Sequence, residues 1–351
     1  MNRKKLLPLA VLAGVVLLLA AALLAVTLLN RRQDGEESDI ALFSVSAGEV
    51  TALSYQDGST DVALTQNEDG GWTLESDPLL PIDSDTVTDL LDSLTGLTAL
   101  RDLSGETLES AQLDFDSPAM TFAFTAGGTD YTLTVGAENS IAGAYYVRLG
   151  DGGVYTVSTS SFSTLCKTPR QLYAAQDITD MESTDVAAMT LDTGSEVLSF
   201  TRDGDGSWTL DEDPAYALDQ DAVALMANTI CSLTSSWSIT APAADVQYGL
   251  DTPAAVVTLT DGDGRTVQCT FGGTDPDDDS VAYLRASTDE SVVYEIAANH
   301  LSVFAQTKVS LQADTDTAET ATAESAGGRS PPRFLSCITA ISRAATPTRA
   351  G

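Results

Sequence analysis

Residues 49–98 read EVTALSYQDGSTDVALTQNEDGGWTLESDPLLPIDSDTVTDLLDSLTGLT, and residues 185–234 read DVAAMTLDTGSEVLSFTRDGDGSWTLDEDPAYALDQDAVALMANTICSLT. Laid over one another without a gap, 17 of the 50 positions are identical, among them Val50/Val186, Gly58/Gly194, Trp72/Trp208, Asp77/Asp213, Pro78/Pro214, Asp83/Asp219 and Val87/Val223. A register of 136 residues held over so long a stretch marks duplication of a whole domain, not one unit of a solenoid.

Within the stretch the hydrophobic period changes once. Val50 to Gln56 and Thr60 to Gln66 alternate around Asp57-Gly58, a strong hairpin signal, and the turn at Asn67 to Gly70 leads into Trp72-Thr73-Leu74. Val87, Leu90, Leu91, Leu94 and Leu97 then recur at three- and four-residue steps, one face of a helix for which Asp83 is the expected N-cap. Past Pro118 the period returns to two, in Met120, Phe122 and Phe124, then Tyr131, Leu133 and Val135, then the hairpin from Tyr145 to Val157. The second copy answers with Val267 to Phe271, Tyr283-Leu284-Arg285 and Val293 to Ile296. Strands joined by hairpins are antiparallel, so the fold class is α+β: an N-terminal transmembrane helix, then two tandem homologous modules, each an antiparallel sheet packed with one main helix.

Outward from the repeat, Leu6 to Leu29 carry no charge and would form a helix of roughly 36 Å, long enough to span a bilayer. Arg3, Lys4 and Lys5 precede it, and only Arg31 and Arg32 follow before a run of acids. That bias keeps the amino terminus in the cytoplasm and sends the rest out of it. An uncleaved signal anchor is preferred over a signal peptide cut near Ala20-Ala21-Ala22, because the apolar run continues well past those alanines. The expected organisation is a cytoplasmic stub and anchor at 1–32, an acidic linker at 33–39, modules at 40–168 and 180–307, and a disordered Ala/Thr/Asp/Glu-rich tail at 312–351. The last stretch, Arg329 to Gly351, has four arginines and no acid, and reads either as a wall-contacting peptide or as an out-of-frame product.

All 51 acidic residues, but only 8 of the 17 basic ones, lie between Gln33 and Ser325. So acidic a region repels nucleic acid and anionic headgroups, and excludes a nucleic-acid partner. Cys166, Cys231 and Cys269 lack metal-like spacing and have no counterpart in the other copy, so they read as small half-buried apolar residues, with a bridge between them left open.

Chemistry is sparse. The chain has a single histidine, His300, expected to be incidental, and no Gly-x-Ser-x-Gly elbow, phosphate loop or Cys-x-x-Cys pair. Asp203-Gly204-Asp205-Gly206 and Asp275-Pro276-Asp277-Asp278-Asp279 look like calcium loops, but the first places Trp208 and Pro214 where an EF-hand needs Gly and Glu, so a hairpin turn is the better reading. No catalytic, cofactor-binding or metal-ligating residue is therefore assigned. Trp72 and Trp208 read as core, while Trp237, unmatched in the first copy, is the better candidate for surface recognition of a glycan or peptide.

At Tyr248-Gly249-Leu250-Asp251-Thr252-Pro253, followed by the alternating strand Ala254 to Thr260, the second module resembles the DUF4340 family. The Gly-Ser-Trp-Thr-Leu strand and the closing Tyr-Leu-Arg and Val-Tyr-Glu-Ile hairpin strengthen the likeness, and Leu113 to Pro118 is a worn copy of the signature without its Tyr-Gly pair. The resemblance implies a membrane-anchored extracytoplasmic protein without catalytic residues to carry over, found beside ABC-type transport systems of the gliding-motility auxiliary kind. The expected function is thus a non-enzymatic binding or accessory protein serving such a transporter, with a cell-wall glycan- or peptidoglycan-binding module as the alternative.

Overall fold

The computed structural model describes residues 40–106, 113–150 and 152–313. The expected anchor, the linker at 33–39 and nearly all of the tail lie outside them. Among the described residues, no helix is long and apolar enough to cross a membrane.

In the first module, after the two-residue strand β1 (Ile40–Ala41), strands β2 (Val50–Gln56), β3 (Asp61–Gln66) and β4 (Trp72–Leu74) form a meander, and helix α1 (Ser84–Thr95) follows. After the short strands β5 (Thr98–Ala99) and β6 (Arg101–Asp102), a second meander runs through β7 (Met120–Ala126), β8 (Thr129–Asn139), β9 (Ala144–Leu149) and β10 (Val154–Ser158). All but β1 and β5, which pair with each other, join one antiparallel sheet in the order β4-β3-β2-β7-β8-β9-β10-β6. Because β4 and β6 are opposite edges, the chain between them must cross a face of the sheet, and α1 makes that crossing. Its cap is Asp83, whose carboxylate accepts from the Asp85 N–H and the Thr86 hydroxyl. Val87, Leu90, Leu91 and Leu94 are buried, and together with Leu53, Leu64, Phe122, Leu133 and Val147 they form one core. Burial of this kind contributes about 25 cal/mol per Å² of apolar surface.

The second module repeats the eight strands of the main sheet in the same order: β11 (Val186–Asp192), β12 (Val197–Arg202), β13 (Trp208–Leu210), α2 (Gln220–Cys231), β14 (Trp237–Ile239), β15 (Ala255–Asp261), β16 (Thr266–Thr274), β17 (Val281–Ala286) and β18 (Asp289–Ala297). Its sheet runs β13-β12-β11-β15-β16-β17-β18-β14. Even irregularities are copied: the first strand of each module carries a bulge, at Val50/Ala52 and at Val186/Ala188. The protein is therefore two tandem eight-stranded antiparallel sheets of one topology.

Each module is latched by the segment after its last strand. The Leu172 carbonyl accepts from the Asp83 N–H just ahead of α1, as the Leu311 carbonyl accepts from Asp219 ahead of α2. Likewise the Tyr55 hydroxyl donates to the Lys167 carbonyl and the Tyr216 hydroxyl to that of Lys308. The packing thus carries the modules past Thr168 and Thr307. Gln312 and Ala313, placed in the tail on composition, are held instead by a bridge to Leu218 and a hydrogen bond to the Ala217 carbonyl. Beyond the first latch, Ile178 donates to the Leu233 carbonyl, as Leu42 does to Leu97, so the connecting chain is also the second module's first element.

Candidate functional site

Side chains that alternate away from the helix make a row across the far edge of each sheet. In the second module, Tyr283, Glu295 and Trp237 lie side by side on β17, β18 and β14. In the first, the same row is Tyr146, Thr156 and Arg101 on β9, β10 and β6. Two residues along, β17 carries Arg285 and β9 carries Arg148. The two modules handle these arginines differently.

Over the second row lies the turn Tyr248-Gly249-Leu250. Gly249 has φ +67°, a left-handed conformation costly for a residue with a Cβ, and a Cβ there would also come within 2.7 Å of the Gly273 amide nitrogen. The Tyr248 carbonyl accepts from Gly273 at 2.8 Å, and a side chain on Gly272 would overlap that carbonyl oxygen. The Tyr-Gly signature is thus a backbone docking device that presses the turn flat on β16. It delivers Tyr248 edge-on to Tyr283, with ring centres 5.0 Å apart, and Leu250 into a separate apolar cluster with Tyr283, Val293 and Ile239. Asp245, just upstream, accepts from Arg285 Nη1 through both oxygens at 2.8 and 2.9 Å. The second strip is filled and neutralised by the chain's own residues.

The first module keeps the turn and loses the seal. Asp114 takes Gly249's place at φ 55°, and the Leu113 carbonyl accepts from Ala137 at 2.8 Å beside Gly136, which again has no room for a Cβ. Leu103, Leu113, Phe115 and Val154 stand where Ile239, Tyr248, Leu250 and Val293 close the second strip. Here the same positions wall a cavity of about 420 Å³, together with Ser104, Asp116 and Arg148. The Arg148 guanidinium stacks on Phe115 at 4.8 Å. Among the described residues its Nε is buried without a hydrogen-bond partner, as is that of Arg285, but whereas Arg285 is paired with Asp245, no ion pair among the described residues includes Arg148. Glu106, also on the cavity wall, is paired with Arg101 at 3.0 Å.

Between the modules, Arg170 forks onto Glu295 at 2.7 and 2.9 Å and lies 4.8 Å over the Trp237 ring. Tyr173 packs on the same indole and hydrogen-bonds Ser235 and Ser238 through its hydroxyl. Thr240 donates to Asp77 of the first module at 2.6 Å. Trp237 is, of the three tryptophans, the better sequence candidate for surface recognition. The structure instead packs it against the first module's core, stacked under Arg170, as part of the joint between the modules.

Other residues singled out by sequence fall into structural roles. Trp72 and Trp208 are buried in their cores. The Asp203 carboxylate accepts from the amides of Asp205 and Ser207, and that of Asp275 from Asp277, Asp278 and the Tyr283 hydroxyl, so both acidic loops spend a carboxylate on their own turns. Among the described residues no group of three or more His, Cys, Asp or Glu side chains is placed to hold a metal. Cys166, Cys231 and Cys269 are free thiols. Burial pushes Cys166 up to about 11 and Cys269 up to about 12 and raises Cys231 too, which keeps all three protonated and unreactive near neutrality. His300 ends a 3-10 turn ahead of the short helix α3 (Leu301–Phe304).

What sequence reasoning missed was the Arg148–Phe115 pair and its sealed twin. The signal was present in the matching Tyr-x-Arg of both copies, Tyr146 to Arg148 and Tyr283 to Arg285, beside an acid at Asp245.

A family model described as a domain of unknown function, DUF4340, matches residues 72–213 and again 208–317. The two matches open on Trp72 and Trp208, the same position of the repeat. No curated protein and no solved structure matches the chain. With matches over well more than half its length, each beginning at the same tryptophan, the chain belongs to the DUF4340 family.

Proposed function

We propose that this is a non-enzymatic binding protein of the cell envelope. In this reading residues 6–29 anchor it as a single membrane-spanning helix, both modules stand outside the membrane, and it serves as an accessory subunit of an ABC-type transport system. One observation carries the binding role: of two matching strips, the second is filled by the protein's own side chains and its arginine paired with Asp245, and the first is left as a cavity whose arginine has no ion pair among the described residues. A duplicated module that keeps one copy sealed and one open suits a division of labour between scaffold and receptor. The alternative of a glycan-binding module has less support, since the aromatic best suited to stack on a sugar, Trp237, lies beneath Arg170.

The test is co-purification of the full chain from membranes in mild detergent. Recovery of transporter subunits with it is the expected result, and a free monomer in every detergent tried would overturn the accessory role. Protease added to intact cells should digest both modules; survival of the bulk of the chain would overturn the extracytoplasmic placement.

A further inference from the structure

We propose that the first-module cavity binds a small ligand through a single carboxylate, of the kind a short peptide offers at its C terminus, with Arg148 as the anchoring residue. The inference rests on the binding role above and names the ligand class of that site.

The second module supplies the template. Arg285 stands in the place of Arg148, and its partner is a carboxylate, Asp245, whose two oxygens both accept from Nη1. The described residues of the first module keep apolar side chains at the matching positions and show no carboxylate paired with the arginine, which leaves a guanidinium donor set on the wall of a cavity. Arg148 is held in position by stacking on Phe115, so little freedom is lost when a ligand arrives. A planar guanidinium matches a carboxylate edge with two parallel hydrogen bonds.

Charge narrows the class further. Asp116 and Glu106 share the cavity wall, and the chain as a whole carries a net charge of −34. A phosphate or a dicarboxylate would meet two like charges there, whereas a monocarboxylate brings one charge to one arginine, and an ammonium group on the same ligand would be drawn to the acids. Leu103, Leu113 and Val154 offer the rest of the ligand an apolar wall. The volume of about 420 Å³ suits a dipeptide more than a long chain.

The experiment is isothermal titration of the full chain in detergent with L-alanyl-L-alanine, with its C-terminal amide and with inorganic phosphate. The free acid should bind, and the amide and phosphate should bind at least tenfold more weakly. Arg148→Gln should abolish binding of the acid with no change in Tm, Ser104→Trp should block it by filling the cavity, and Arg285→Gln should leave it intact. Equal binding of acid and amide, retention of binding in Arg148→Gln, or no binding of the acid at millimolar concentration would overturn the proposal. Should transporter subunits still co-purify in that last case, the ligand class falls and the accessory role stands. Should the dipeptide bind in a protein with no transporter partner, the reverse holds.

Discussion

The first and second modules share a topology, a bulge, a capped helix and a latch, yet they differ in one strip of side chains. In the second, Tyr248, Leu250 and Asp245 close over β17 and β18, and Glu295 and Trp237 receive the connecting chain. In the first, Leu113, Phe115 and Val154 wall a cavity, and Thr156 and Arg101 hold the row that Glu295 and Trp237 fill in the copy. The difference teaches where duplication is free to diverge. Residues facing the helix are constrained by close packing, whereas the outer face of the same strands can be sealed or opened without disturbing the core.

The largest effects should come from the shared core. Leu94→Ala and Ile230→Ala remove corresponding side chains, both fully buried on the two helices, and each should cost about 2–5 kcal/mol. Guanidinium melts followed by Trp72 and Trp208 fluorescence should show each change acting mainly on its own module. Equal loss in both modules from either change would mean that the repeats unfold as one unit.

Next comes the joint. Arg170→Ala strands the buried Glu295 carboxylate and uncovers Trp237. Breaking a fully buried pair costs about 3–5 kcal/mol, and the 58% exposure of the Arg170 side chain places this one toward the lower end of that range or below it. Adding Glu295→Gln should restore part of the loss, because the orphaned charge goes with it. A double variant as unstable as the sum of the two single ones would contradict the pairing.

The signature turn should rank third. Gly249→Ala imposes a left-handed φ and a 2.7 Å contact on a side chain, and should cost at least about 1 kcal/mol in thermal melts. Its place in the first module already holds Asp114 at φ 55°, so Asp114→Ala should be milder there than Gly249→Ala is here.

The smallest effect is in acid. Hydrogen bonds from Thr86 and Asp85 hold the Asp83 carboxyl below its usual range. A depressed folded pKa contributes stability that is complete above the unfolded value of about 4 and is lost as pH falls through the folded one. Asp83→Asn keeps a capping side chain without the titration, so its stability relative to the parent should improve as pH drops below about 4. A constant difference across that range would contradict it.

The sequence made the repeat, the N-cap at Asp83 and the helix faces legible, because caps and faces depend on spacing within a dozen residues: Val87, Leu90 and Leu94 announce their face by period alone. The eighth strands were not legible. Arg101–Asp102 and Trp237–Ile239 are two and three residues long, too short to show alternation, and their pairing is set by β10 and β18, more than fifty residues away. Trp237 looked like a free aromatic because it is unmatched in the first copy. What covers it, Arg170, lies in the connecting chain, where composition gives no sign of a partner. The Arg148 cavity was hidden for a related reason: its wall is drawn from residues as far apart as Leu103 and Val154, which no local pattern brings together.

The contrast between an open and a sealed strip can be measured directly by arginine-selective labelling of the native protein with phenylglyoxal, with rates read peptide by peptide. Arg148 should label faster than Arg285, whose guanidinium is engaged by Asp245, and Asp245→Asn should bring Arg285 toward the rate of Arg148. If Arg285 in the parent protein labels as fast as Arg148, the second strip is not sealed, and the division between the two modules is contradicted.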